Sequence, residues 1–456
     1  MRYDELSGRY PVFYYHDFAI IESEQEFHIQ FDFEIEGLSH FNPDFIIEKP
    51  AGGVTYANLR SVREAAFSLG MVELISYWKL TCSPTVIVEC GSLNADQVRW
   101  WKKLYFNGLG EFFYKNRIEA DPETFMNLTS IGETITGHID QRKFSGNLIP
   151  VGGGKDSFVT LQLLSGMKEH NRAFIINHVM SAVHAAQAAG YSGDRLIVVE
   201  RTLDSRMLEF NKAGYLNGHT PFSALCAFAA SLTAVIYGMQ NICLSNEESA
   251  NESTIRGSSV NHQYSKTFAF EQDFKYYMDT YITPEVHYFS VLRPLTELQI
   301  AGLFSELTQY HPVFRSCNVG QKEERWCGHC AKCLFVCIIL SAYLSDEALV
   351  KIFGADMLND ESMRGLLEQL SGMSDNKPFE CVGTREEVNT AIAMSIAAHE
   401  AQGKPLPRLY EFYKQSSYYD YYRNKSVDWT QYNTENLVPE HLQTLLKQWM
   451  AEMREK

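Results

Sequence analysis

LIPVGGGKDSFVTLQLL, Leu148 to Leu164, is the stretch that decides the fold. A short apolar run, Leu148–Val151, reads as a buried strand. Three glycines, Gly152–Gly154, end it, and Lys155 opens a helix directly behind them. Glycines let the backbone approach an oxyanion and expose its N–H groups. The helix N-terminus adds the positive end of a dipole, and Lys155 and Ser157 stand within reach of phosphate oxygens. The loop is not a Walker A motif, because Asp156 separates the lysine from the hydroxyl residue that should follow it.

The same alternation continues outward. AFIINHV (Ala173–Val179), a helix through Ala182–Ala189, RLIVVE (Arg195–Glu200), a buried helix PFSALCAFAASLTAVIYG (Pro221–Gly238) and a strand in NICLSNE (Asn241–Glu247) follow in order. Continuously apolar strands separated by helices predict a parallel sheet covered on both faces, with ligands at the carboxyl ends of its strands. Upstream, EFHIQFDFEIE (Glu26–Glu36) alternates like a half-buried strand. A helix over Ser61–Lys79 and a strand in PTVIVEC (Pro84–Cys90) come next. Then an amphipathic helix is capped by Asn94, with Val98, Trp101, Leu104 and Tyr105 on its core face. From Leu334 on the chain reads as helical. The expected organisation is an α+β unit over 1–142, an α/β parallel-sheet nucleotide-binding domain over 143–345, and a helical region over 346–456.

Composition sets outer limits. The 456 residues carry 40 Lys+Arg against 56 Asp+Glu, a net charge of −16, which argues against nucleic acid or an anionic membrane as partner. The uncharged run Phe222–Leu244 is rich in Ala, Ser and Thr and lacks aromatic flanks and a basic side, so it reads as a buried helix and not a membrane span. The start has no basic region followed by an apolar one, so the expected location is cytoplasmic. Of ten cysteines, four crowd into CNVGQKEERWCGHCAKC, with Cys317, Cys327, Cys330 and Cys333 spaced C-x9-C-x2-C-x2-C. Four thiolates at that spacing close a tetrahedral site, which predicts structural Zn2+; an iron–sulfur cluster uses the same ligands.

A strand–GGGKDS–helix resembles the PP-loop of ATP pyrophosphatases, whose pattern is SGGxDS. The ordered set SYWK (from Ser76), LYFNGLGEFFYKN (from Leu104), GGGKDS, NGHTPFSA, SNEESA, VNHQYSK, LRPLTEL (from Leu292), RWCGHCAKCLFV and KPFECVG (from Lys377) is similar to the MurL epimerase family over about Phe13–Gly383. The chain departs from that pattern at Trp78, where tyrosine is expected, and at Glu248, where a basic residue is expected.

The resemblance implies a PP-loop (adenine nucleotide alpha hydrolase-like) domain. It also implies ATP-dependent conversion of the terminal L-Glu of UDP-N-acetylmuramoyl-L-Ala-L-Glu to D-Glu. ATP and Mg2+ would be held by Gly152, Gly153, Gly154, Lys155, Asp156, Ser157, Asn246 and Glu247. Among residues able to move protons or hold charge, His219, Lys266, Asp156 and Tyr264 are the catalytic candidates. Arg201, Asn217, Arg256, Asn261, His262 and Gln263 are the substrate-binding ones, and Arg201, Arg256, Lys266 and Arg293 are expected to form a basic pocket. A MurD-type ligase that adds L-Glu is the implied functional partner. Competing readings are a queuosine-pathway type of PP-loop enzyme, adenylating for amidation or thiolation, and a nucleotide-binding regulator without turnover.

Overall fold

The computed structural model describes residues 2–50, 56–248, 264–320, 323–375, 377–378, 380 and 382–455. Eleven strands are present among them: β1 (Val12–Glu22), β2 (Glu26–Ile35), β3 (Ser39–Phe41), β4 (Asp44–Glu48), β5 (Thr85–Val88), β6 (Asn127–Ser130), β7 (Asn147–Pro150), β8 (Asn171–Ile176), β9 (Leu196–Thr202), β10 (Asn241–Leu244) and β11 (His287–Ser290). The helices that position the site are α1 (Arg60–Trp78), α2 (Ala95–Gly108), α3 (Lys155–Leu163), α4 (Phe222–Tyr237), α5 (Glu297–Ser305), α6 (Ala331–Ser341) and α7 (Arg385–Gln402).

All eleven strands lie in one sheet, ordered β11-β10-β7-β8-β9-β4-β2-β1-β5-β6 with β3 beside β2. From β11 to β9 every pairing is parallel, as continuously apolar strands linked by helices require. β9 then pairs antiparallel with β4, from Asp44 opposite Thr202 to Ile47 opposite Val199. The sheet thus runs straight through the boundary expected after residue 142, and the first two expected segments share it. Neither β4 nor β9 carries a sequence signal for this junction.

The two halves of the sheet are covered differently. Alternate residues of the parallel strands enter two separate cores: Leu148, Phe174, Ile176 and Ile242 on one face, Ile149, Ala173, Ile175 and Cys243 on the other. The first core also takes the buried face of β1 and β2 (Phe13, Tyr15, Phe27, Ile29) together with α1, α2 and α4. The second is built with α3, α5, α6, α7 and the helices that follow, so the helical C-terminal region closes the other face of the parallel strands. β1 and β2 bury one face and leave the opposite one partly open to solvent.

Local signals behave as their chemistry dictates. Asn94 caps α2, its Oδ1 accepting from the N–H groups of Asp96 and Gln97 at 2.9 Å each. Trp101 and Tyr105 on that helix are fully buried, and Tyr105 Oη donates to Met71 O at 2.6 Å. Removing the Trp101 side chain would cost about 3–5 kcal/mol. α4 is a buried helix of the first core, ended by Gly238 in the left-handed region (φ +66°). Among the described residues, no helix is long and apolar enough to cross a membrane.

Candidate active site

β7 delivers the chain to the glycine loop at the carboxyl edge of the parallel strands, and α3 starts at Lys155. Gly153 has φ +85°, and a Cβ there would stand 3.0 Å from Ser181 O, so backbone geometry and a close neighbour both demand glycine. At Gly152 a Cβ would meet nothing within 4 Å, because that side faces open space. The Gly152 N–H donates to Ser157 Oγ at 3.1 Å.

This open space is a cavity of about 490 Å³. Its walls come from the glycine loop with Asp156 and Ser157, the ends of β8 and β10 (Phe174–Ile176, Leu244–Asn246), the start of α4 (Phe222, Ser223, Cys226), and Lys266. The segment Arg315–Asn318 with Lys332 completes it. The volume suits a nucleotide-sized ligand. A second cavity of about 560 Å³ lies between α5, α7 and the 425–431 segment. It presents Glu248, Glu386, Glu387 and Asp428 against Lys425, the wrong sign for a polyphosphate. Glu248, the departure from the family pattern, faces that second cavity, where its Oε1 accepts from Asn433 Nδ2 at 3.1 Å. Trp78, the other departure, is buried and donates to Ser83 O at 2.8 Å.

Under the glycine loop sits a dense charge cluster. The Lys155 ammonium is buried between Asp156 and Glu297, with Glu297 Oε1 at 2.6 Å. Burial opposes its charge, but the two carboxylates more than offset that and hold the proton firmly. Glu297 is pushed well above the usual carboxylate range, first by burial and then by Asp156 and Glu247, which compete with it for the lysines. Glu247 is half-buried, and Lys266, Lys155 and Lys332 outweigh its desolvation and lower its pKa. A carboxylate on the cavity wall offers the oxygen ligand that Mg2+, a hard cation, takes. Asp156 is the one that lines the cavity.

The four cysteines converge as expected. Sγ–Sγ separations are 4.0 Å for Cys317–Cys330, 3.6 Å for Cys327–Cys333 and 3.5 Å for Cys330–Cys333. A tetrahedron of Zn–S bonds of about 2.3 Å has edges of about 3.8 Å, so the thiolates fit that ion. The N–H groups of Gly320, Cys327 and Cys333 donate to these sulfurs. Cys317 also lines the cavity, and the Arg315 N–H donates to Gly153 O at 2.8 Å, so the cysteine loop is bonded to the glycine loop it faces.

The other expected site residues divide sharply. Lys266 and Asn246 stand on the cavity wall, as does Cys226, which is not among the expected site residues. Burial pushes the Cys226 thiol up to about 12, against the pull of Arg201 and Lys266. Tyr264 packs edge-on to Phe270 and does not line the cavity. His219 lies against Glu111, its Nδ1 3.6 Å from Oε2, and Asn217 accepts from Asn116 Nδ2 through its carbonyl at 3.1 Å. Arg256, Asn261, His262 and Gln263 lie outside the described residues.

Two members of the expected basic pocket are spoken for. Arg201 is held bidentate by buried Glu73 at 2.9 and 2.8 Å, and Arg293 donates from Nε and Nη2 to the single oxygen Oε2 of buried Glu271 at 3.1 and 3.0 Å. Arg293 further donates to Glu247 O and Lys266 O, both at 2.6 Å, so it ties together the two ends of the segment between them. Each guanidinium has its charge offset by a buried carboxylate, and neither lines the cavity. The cavity's positive charge comes instead from Lys266, Lys332 and Arg315. Sequence reasoning missed the last two, although Lys332 lies inside the cysteine array and Arg315 two residues before it.

A family model described as the MurL N-terminal domain matches residues 5–291, and one described as the MurL C-terminal domain matches residues 313–416. The chain is similar to three proteins named UDP-N-acetyl-alpha-D-muramoyl-L-alanyl-L-glutamate epimerase. Identity is 32% over 76% of this chain and 77% of the relative from Xanthomonas oryzae pv. oryzae. It is 33% over 79% of each chain for the relative from Micromonospora sp.. For the relative from Salinispora tropica it is 30% over 82% of this chain and 81% of the relative. No solved structure matches the chain. With both domain models covering the sheet and the helical region that closes it, the chain belongs to the MurL family.

Proposed function

We propose that this chain is an ATP-dependent epimerase that converts the terminal L-Glu of UDP-N-acetylmuramoyl-L-Ala-L-Glu to D-Glu, with AMP and pyrophosphate as co-products. The observation that carries the reading is the nucleotide-sized cavity opening on the glycine loop, in a chain of a family whose relatives bear that name. We further read the parallel half of the sheet as a PP-loop domain of the adenine nucleotide alpha hydrolase type. The supply of L-Glu-terminated substrate would fall to a MurD-type ligase in the cytoplasm, where UDP-linked precursors are made.

The chemistry explains why ATP is consumed. Taking a proton from a carbon beside a carboxylate creates a dianionic enolate, which is very unfavourable. The glutamate α-carboxylate attacks the α-phosphorus of ATP, forms an acyl-adenylate and expels pyrophosphate. The enolate now carries one negative charge less, and its proton is far more acidic. A base removes that proton, a proton returns to the opposite face, and water releases AMP.

Gly152–Ser157 and the N-terminus of α3 hold the phosphates, with the Lys155 charge fixed beneath them. Mg2+, when bound by Asp156 with its neighbouring carboxylates, offsets phosphate charge. Lys266, on the cavity wall, is the proposed base for one face. His219, one residue from the Thr220–Phe222 segment beside Arg201 and Ser76, is the proposed partner for the other. Cys317, Cys327, Cys330 and Cys333 would hold structural Zn2+, which would keep the cysteine loop against Gly153.

The test is incubation with ATP, Mg2+ and the L-Glu dipeptide nucleotide in D2O. Deuterium at the glutamate Cα together with D-Glu and AMP is the expected result. AMP without exchange overturns the epimerase reading in favour of amidation or thiolation. Asp156→Ala and Ser157→Ala should each lower pyrophosphate release about 10²–10³-fold, and full turnover in either would remove the glycine loop from the reaction.

A further inference from the structure

Among the described residues, a second group of metal-capable side chains lies outside the cysteine cluster, on the open face of the sheet. β1, β2 and β3 run side by side there. Glu34 of β2 pairs directly with His40 of β3. On its other flank, a bulge between Tyr15 and Asp17 lifts His16 out of the β1 register. Bulges re-aim side chains, and this one turns His16 onto Glu34. His16 Nε2 is 2.8 Å from Glu34 Oε2, and His40 Nε2 is 3.5 Å from the same oxygen.

The outer nitrogens are held as well. His16 Nδ1 donates to Glu89 at 2.7 Å, and His40 Nδ1 to Asp32 at 3.3 Å. Each imidazole thus has a carboxylate behind it and its Nε2 pointing at one shared point. That is the arrangement by which outer carboxylates orient histidine ligands.

We propose that His16, Glu34 and His40 form a binding site for a borderline divalent transition metal ion, Zn2+ being the simplest case. Two imidazole nitrogens and one carboxylate oxygen, all within 4.8 Å of one another, suit that class; Mg2+ and Ca2+ prefer all-oxygen shells. In a tetrahedral site donors stand about 3.3 Å apart, so His40 and Glu34 are already spaced for it and His16 needs a small withdrawal. Without metal, His16 Nε2 and Nδ1 face the carboxylates of Glu34 and Glu89. The ion takes the place of the Nε2 proton, which is released to solvent. Three protein ligands leave a fourth position for water, in contrast to the closed cysteine site.

The test uses the full chain, dialysed against a weak chelator until only the thiolate-bound equivalent of metal remains, and then titrated calorimetrically with Zn2+. One further equivalent binding at micromolar free Zn2+ is expected. It should be lost in the His16→Ala/His40→Ala double variant and weakened about tenfold by Glu89→Gln, which removes no ligand. His28→Ala, which removes a histidine from a His–Asp44 pair on the same sheet, should leave it unchanged. Binding of only the first equivalent, or equal losses in His28→Ala and the double variant, overturns the proposal. Thermal unfolding in chelator checks that each variant is folded.

Discussion

Lys155 and Lys79 are buried to nearly the same extent, 4% and 6% exposed, yet their surroundings drive them in opposite directions. Lys155 lies between Asp156 and Glu297, which hold its charge against the cost of burial. Lys79 touches neutral oxygens, Gly218 O at 2.7 Å and Thr220 Oγ1 at 3.3 Å. Burial, aided by the Arg201 guanidinium, pushes it down to about 8, and Glu73 only partly opposes because Arg201 already occupies it. Burial alone therefore does not tell what a lysine is for. One ammonium is a charge held fast beside the glycine loop; the other fastens the loop that carries His219.

The strongest way to break this contrast is Lys155→Met. It strips Asp156 of its cation and takes from Glu297 the charge that draws on its proton. Leaving a carboxylate unpaired in this way costs about 3–5 kcal/mol, whereas in Glu297→Gln the lysine keeps Asp156. Urea unfolding should report that loss together with loss of pyrophosphate release. Unfolding at the wild-type urea concentration would mean that the carboxylates do not depend on this lysine.

Glu297→Gln tests the other side of the pair. An unfolded glutamate releases its proton near 4.5, whereas buried Glu297 keeps it to higher pH. Above 4.5 the folded state binds the extra proton, so this group's contribution is full below 4.5 and is lost as pH rises through the folded value. The glutamine variant should therefore be more stable than wild type by about 1–2 kcal/mol at neutral pH, with the gap closing as pH falls toward 4.5. A gap that stays constant with pH would assign the gain to packing.

How much of this was legible in the chain depends on sequence distance. The glycine loop, the Asn94 cap and the cysteine array each place their chemistry within a few residues, so the local pattern gives it away. Glu297 lies more than a hundred residues from Lys155, and it looks like the first-turn acid of an ordinary helix. Arg201 and Arg293 read as pocket cations because nothing near them in the chain shows that Glu73 and Glu271 will claim them. The β4–β9 junction was equally silent, since strand order is set by tertiary packing. The bulge at His16 leaves no mark at all in VFYYHDFAIIE.

Lys79→Met gives the smallest effect and the cleanest sign. The unfolded lysine holds its proton up to 10.5, while the folded one releases it at about 8. Between those values the unfolded state binds more protons, so wild-type stability climbs with pH; below 8 the whole penalty is present. That penalty is at most about 3 kcal/mol, and methionine removes it. The same substitution discards the hydrogen bonds to Gly218 and Thr220, worth about 1–2 kcal/mol together. The net gain near neutral pH is then about 1 kcal/mol, turning into a loss by pH 10.5. Urea unfolding of both proteins across that window isolates this group, because every other titration is common to the two. Parallel curves would show that Lys79 keeps its proton in the fold, and the two lysines would then differ in partners alone.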